Sequence, residues 1–242
     1  MNVTASDIGA YSFCPRTLYL RRVVGLSEPE GDRAIFEAER RRAGRAISLS
    51  HPFIMQHAVA FGKGPKRIIE ELFKRPMSQE VRDWSLSRIL TLCREFSSMA
   101  DQLGEEEAME MVSPIRTAFR TGSPSFGISA AIDRLMPAPP NSPVLIRCGD
   151  FQSFWENDAV QAAAAAMALE ASIGYHISHS FIEPVGAFMS HPVSLDAALR
   201  EKVLIARAGA ERILAGELPS ACPHGNPRKC AGCLLEDECY LV

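Results

Sequence analysis

Cysteines stand at both ends of this chain: Cys14 near the start, and Cys230, Cys233 and Cys239 close to the finish. Three sulfurs in a C-x₂-C-x₅-C spacing are too close together to be unrelated core residues, and a lone upstream cysteine can supply the fourth ligand of a metal centre. Such a centre closes the chain into a ring, so it restricts the fold to those in which the two termini meet. The flanking Pro227-Arg228-Lys229 and Glu236-Asp237-Glu238 are polar, which keeps these cysteines away from an apolar core. Pro15 directly after Cys14 suits the first position of a helix. A helix start there holds the thiol near a positive helix end, which favours the thiolate. Zinc and iron–sulfur centres both accept four thiolates. A local zinc knot of Cys222, Cys230, Cys233 and Cys239, with His224 as a further ligand, is the rival arrangement.

With 242 residues, 47% of them hydrophobic, the chain can bury a real core as one large domain or a domain with a subdomain. Seven cysteines is an odd number, and the first residues lack the basic start and apolar run of a secretory leader. No run of about 18 apolar residues is present to span a bilayer. The expectation is a soluble cytoplasmic protein with no membrane partner. A net charge of −3 argues against a bulk basic nucleic-acid binder but not against a local patch. Arg16, Arg21, Arg22, Arg33, Arg40, Arg41, Arg42 and Arg45 crowd the start of the chain. Guanidinium groups pair bidentately with phosphate, although a run such as Arg40-Arg41-Arg42 also makes an ordinary solvated helix face.

Apolar periodicity predicts helices over 7–23 and 32–47, then two or three helical segments over 65–111 broken near Pro76 and Gly104. The rhythm changes after Pro114. Segments 115–120, 125–135 and 144–148 read as strands, separated by Gly122-Ser123-Pro124 and by the turn-rich stretch 137–143. Trp155 to Asp158 caps an alanine-rich helix that Gly174 ends. A strand over 176–188 and a helix from Asp196 to Ala215 follow. A strand, helix, strand connection of this length implies a parallel pair.

The Cys14-Pro15-Arg16 element, the run Ser129-Ala130-Ala131-Ile132-Asp133 after Gly127, the helix starting Asp158-Ala159-Val160-Gln161, and the terminal cysteines together resemble the CRISPR-associated exonucleases of the RecB type. The resemblance implies an α/β fold with a PD-(D/E)XK, restriction-endonuclease-like core, its mixed sheet flanked by helices. One domain is expected: a helical region over 1–112, the nuclease-like core over 113–216 and a cysteine segment over 217–242. It also implies a [4Fe–4S] cluster on Cys14, Cys230, Cys233 and Cys239, with DNA as ligand. Arg16, Arg21, Arg41 and Arg45 are the candidate DNA contacts, and a protein partner is the alternative.

Departures from that family's pattern bear on the chemistry. Such a nuclease holds Mg²⁺ or Mn²⁺ between two acidic groups, with a lysine beside them. Asp133 fits the first acid, and Gln161 the helix residue that orients the site. Ile146 and Cys148 stand where the resemblance implies glutamate and lysine, and no lysine occurs between Lys74 and Lys202. Arg147 keeps a positive charge, but strand alternation points it to the opposite face from Ile146. The family's histidine is displaced, since Gly44 is followed by Ser48 with His51 one turn late. Bound Mg²⁺ or Mn²⁺ is therefore doubtful. The expectation is an iron–sulfur protein that binds DNA or a partner with nuclease activity lost or strongly reduced. The alternatives are an active exonuclease that recruits Asp150 or Glu156 as second acid, and a zinc-stabilised interaction protein.

Overall fold

The computed structural model describes residues 2–26, 32–60, 62–74, 76–137, 141–147, 155–185, 190–220, 229, 230, 233 and 235–239. Thr4 opens the first helix, α1 (Ala5–Phe13). Its hydroxyl accepts from the Asp7 N–H at 3.0 Å while the Asp7 carboxylate accepts from the Thr4 N–H at 3.1 Å. This reciprocal cap satisfies two donors that a helix start would leave unpaired. At Cys14 the backbone turns extended (φ −161°, ψ 119°), and Pro15 starts α2 (Pro15–Tyr19). The single helix expected over 7–23 is thus two, because a proline has no N–H for the preceding turn and its ring crowds the carbonyl there. A wide π turn over Leu20–Val24 ends at Gly25, whose φ of 80° suits glycine.

Among the described residues, α3 (Asp32–Leu49), α4 (His51–Met55) with a π turn over Gln56–Ala60, α5 (Pro65–Leu72), α6 (Gln79–Leu103) and α7 (Glu105–Val112) precede the main strands. The break at Gly104, at φ 89°, falls where the periodicity places it. Ile47, Ile54, Ile68, Ile89, Leu92 and Phe96 meet as one buried cluster, which makes this region a packed unit with its own core. Burying each such side chain contributes about 1.5–3 kcal/mol.

The described strands form one mixed sheet: β1 (Val3–Thr4), β2 (Arg116–Ser123), β3 (Ile128–Met136), β4 (Ser142–Arg147), β5 (His179–Pro184) and β6 (His191–Ser194). β2, β3 and β4 are antiparallel neighbours. β5 then joins β4 in parallel after α8 (Glu156–Ile173), as the strand, helix, strand spacing predicts. The strand expected over 176–188 is shorter than read. The Ile177 N–H goes to the Glu170 carboxylate at 2.8 Å instead of a ladder, and β6 returns antiparallel on β5. Asp196 caps α9 (Ala197–Leu214) by accepting from the Leu199 N–H at 2.8 Å. Helices flank the sheet, so the fold is α/β.

Ala163, Ala164, Ala165 and Ala166 of α8 share the larger buried core with Ile128, Ala130 and Ile132 of β3. Small side chains let this helix lie close to the sheet and to α1. A Cβ at Gly9 would stand 2.7 Å from Gln161 Oε1, and one at Gly209 would meet the Tyr11 ring at 2.2 Å. Glycine is needed at both crossings for space, not for its backbone freedom.

The register around β3 opens the sheet at one point. β2 lies along the length of β3 on one edge, while two strands share the other: β1 pairs at Ile128 and Ser129, and β4 pairs only at Arg134, Leu135 and Met136. Between them the edge of β3 is left open, and β4 veers toward β5.

Candidate functional site

A cavity of about 570 Å³ opens at this parting of the strands. β1 and α1 bring Thr4 and Ser6 to it, β2 brings Arg120 and Thr121, and β3 brings Ser129 and Asp133; Arg147 enters from β4, Gln161 from α8 and Arg45 from α3. Arg120 sits directly across from Ala131 in the β2–β3 register, so both line the same face of the sheet. Asp133 lies opposite Ala118, whose φ of 47° interrupts β2 at that point.

The Asp133 carboxylate is fully engaged by the protein. One oxygen accepts from the Ile146 N–H at 2.9 Å, so the side chain supplies the acceptor that the parted ladder no longer offers. The other pairs with Arg45 at 2.8 Å. Burial raises this carboxyl above its usual range, while the Ile146 N–H, Arg45 and Arg134 pull it back down. Arg147 pairs with the fully buried Asp158 of α8 and is among the residues that line the cavity, whereas Ile146 pairs in register with Glu183, which faces His51 of α4. Burial raises the Asp158 carboxyl as well, with Arg147 opposing.

Ile146 is in the cavity lining as an aliphatic residue where a glutamate is implied. Cys148 and Asp150 lie outside the described residues. Glu156, the other proposed replacement acid, is on the first turn of α8 and pairs with Lys202 of α9, away from Asp133. A divalent cation needs oxygen ligands, two carboxylates for preference. The described lining offers one carboxylate, already bonded twice, among three guanidinium groups, so these residues do not fit Mg²⁺ or Mn²⁺.

His51 stands elsewhere, in a buried polar cluster that ties α4 to the sheet. Its Nδ1 is 3.0 Å from an Arg134 nitrogen, its Nε2 is 3.7 Å from Glu183 of β5, and Arg134 pairs with Glu183. All three side chains are buried. Desolvation holds the imidazole well below its ordinary value, and the Arg134 charge lowers it further. This cluster was invisible in the sequence, since nothing in the residues around Arg134 or Glu183 marks a buried pair.

The terminal cysteines come to the start of α2. Arg16 is buried, its Nε donating to Cys239 Sγ at 3.2 Å and its Nη2 to the Cys239 carbonyl at 2.6 Å. Thr17 Oγ1 lies 3.8 Å from Cys233 Sγ, and Lys229 Nζ donates to the Phe13 carbonyl at 3.1 Å. Phe13, Arg16 and Thr17 bracket the buried Cys14, so both ends of the chain form one joint. The Arg16 N–H aimed at Cys239 Sγ is a contact that a thiolate accepts well. Among the described residues, no three histidine, cysteine, aspartate or glutamate side chains stand as a group poised on one ion. Cys222 and His224 lie outside the described residues.

Of the four arginines singled out for DNA, Arg16 is therefore part of the terminal joint, whereas Arg21, Arg41 and Arg45 are exposed. Arg45 alone of the four reaches the cavity. Gln161 lines it too, half-buried against Gly9. Sequence reasoning missed Arg120, which carries no motif. Only the β2–β3 register brings it over the site. No protein-family model matches the chain, and no curated protein matches it either. No described helix is long and apolar enough to cross a membrane.

Proposed function

We propose that this chain is an iron–sulfur protein with a PD-(D/E)XK-like core that binds DNA and has lost nuclease activity. The observation that carries the loss is the state of Asp133: its two oxygens are held by the Ile146 N–H and Arg45 instead of facing a second acid. The order of elements, a helix, three antiparallel strands, a helix and a parallel strand, supports the nuclease-like reading of the core. Support for a cluster on Cys14, Cys230, Cys233 and Cys239 comes from the joint at Arg16 and Thr17, which brings the carboxyl-terminal cysteines to the residues beside Cys14. A cluster there would fasten the two termini together and supply a redox-active or purely structural centre.

Two measurements test this reading. Anaerobically purified protein should carry about four irons per chain and absorb in the visible, and Cys14→Ser should lose the iron. Zinc in place of iron, unchanged by Cys14→Ser, would transfer the metal to the local knot that includes Cys222. DNA binding should weaken steeply with salt, with no cleavage in Mg²⁺ or Mn²⁺. Cleavage that Asp133→Ala abolishes would return the chain to the working nucleases.

A further inference from the structure

We propose that the cavity at the parting of β3 and β4 binds a phosphate group directly through arginine, without a metal ion. The lining is cationic: three guanidinium groups, those of Arg45, Arg120 and Arg147, face a single carboxylate, Asp133. Arg45 is balanced by Asp133 and Arg147 by Asp158, which leaves Arg120 without an ion-pair partner among the described residues. An anion entering the cavity completes that charge balance, and a cation opposes it.

Hydrogen-bonding capacity points the same way. Guanidinium groups have donors only, and the ionised oxygens of a phosphate are acceptors, so the pair is matched in kind as well as in charge. Hydroxyls of Ser6, Thr121 and Ser129 stand around the same space, and Thr121 Oγ1 has no hydrogen-bond partner among the described residues. Gln161 adds an amide that can donate. A volume of about 570 Å³ is in the range of small-ligand pockets, large enough for a nucleotide. Openness to solvent at the exposed Arg120 and half-exposed Arg45 leaves room for a chain to continue outward.

The source of the phosphate rests on the DNA reading above, whereas the site itself does not. The test measures binding of a labelled, 5′-phosphorylated single-stranded oligonucleotide by anisotropy in EDTA, beside thermal shifts with inorganic phosphate and with a mononucleotide. Arg120→Glu should weaken the oligonucleotide about tenfold or more and abolish the shift with inorganic phosphate. Arg120→Lys should retain part of both, and Arg94→Glu, an exposed arginine on α6, should change neither more than twofold. Arg120 is exposed, so its replacement leaves the core intact. Phosphate and mononucleotide binding lost in Arg120→Glu, with no oligonucleotide binding at all, would uphold the cavity and overturn DNA as its source. Oligonucleotide binding indifferent to Arg120→Glu, or dependent on Mg²⁺, would overturn the cavity proposal and leave DNA binding to another surface.

Discussion

His51 sits within reach of Arg134 and Glu183 under Phe96, where water that would solvate an imidazolium is excluded. Its folded value is depressed below the value of about 6.5 that it takes in an unfolded chain. The unfolded state therefore takes up a proton that the folded state refuses, and stability must fall as pH drops below about 6.5 until the depressed folded value is reached. One such group contributes a slope of up to about 1.4 kcal/mol per pH unit. His51→Gln should flatten the wild-type profile by that amount between about pH 6.5 and pH 5, as read from urea unfolding at each pH. Parallel profiles would mean that the imidazole accepts its proton inside the fold. The same burial explains why a histidine one turn away from its expected place does not serve the cavity: α4 delivers it to the β5 side of the sheet.

Close helix crossings decide how firmly the cavity is shaped. α1 and α8 meet at Gly9 and Gln161 with no margin for an added methyl: its carbon would lie 2.9 Å from Gln161 Cβ as well as 2.7 Å from Oε1. Gly9→Ala should cost about 1–3 kcal/mol, the range for overpacking a tight contact. Combining it with Gln161→Ala should recover only the part due to the amide, because the Cβ clash persists. Full additivity of the two losses in a double-mutant cycle would show that they do not touch. Gln161 is thus a packing residue on α8 as much as a cavity residue. At the parting of β3 and β4 the Asp133 side chain takes the Ile146 N–H in place of a backbone acceptor.

Across the whole molecule, the amino-terminal helices and the terminal cysteines meet at one joint at Arg16. Its guanidinium reaches both Cys239 Sγ and the Cys239 carbonyl while buried beside Cys14. Arg16→Ala removes two hydrogen bonds of a charged donor, each worth about 1.5–3 kcal/mol. The carboxyl-terminal segment should then be cut faster in limited proteolysis at sites beyond Leu214. The sheet with α8 and α9, held by its own core, should remain protected. Equal cutting of wild type and variant would mean that the joint contributes nothing to holding the termini.

Much of this was legible in the residues themselves. Local rules carry the helix start at Pro15, the break at Gly104, the caps at Asp158 and Asp196, and the exit at Gly174, because each depends on a few neighbouring atoms; the end of α1 before Cys14 was not legible, since the apolar spacing runs on through it. The cysteine spacing suggested that the chain ends come together, but the contacts that bring them together, Arg16 with Cys239 and Lys229 with the Phe13 carbonyl, carry no motif. Tertiary structure alone decided what the cavity contains. Arg45, Arg120 and Arg147 are far apart in sequence and obey no motif; they converge because β2 aligns on β3, β4 turns away from it, and α3 crosses above. Local sequence sets the conformation of each segment, but the charge of a site built from several segments is a sum that exists only after they have packed.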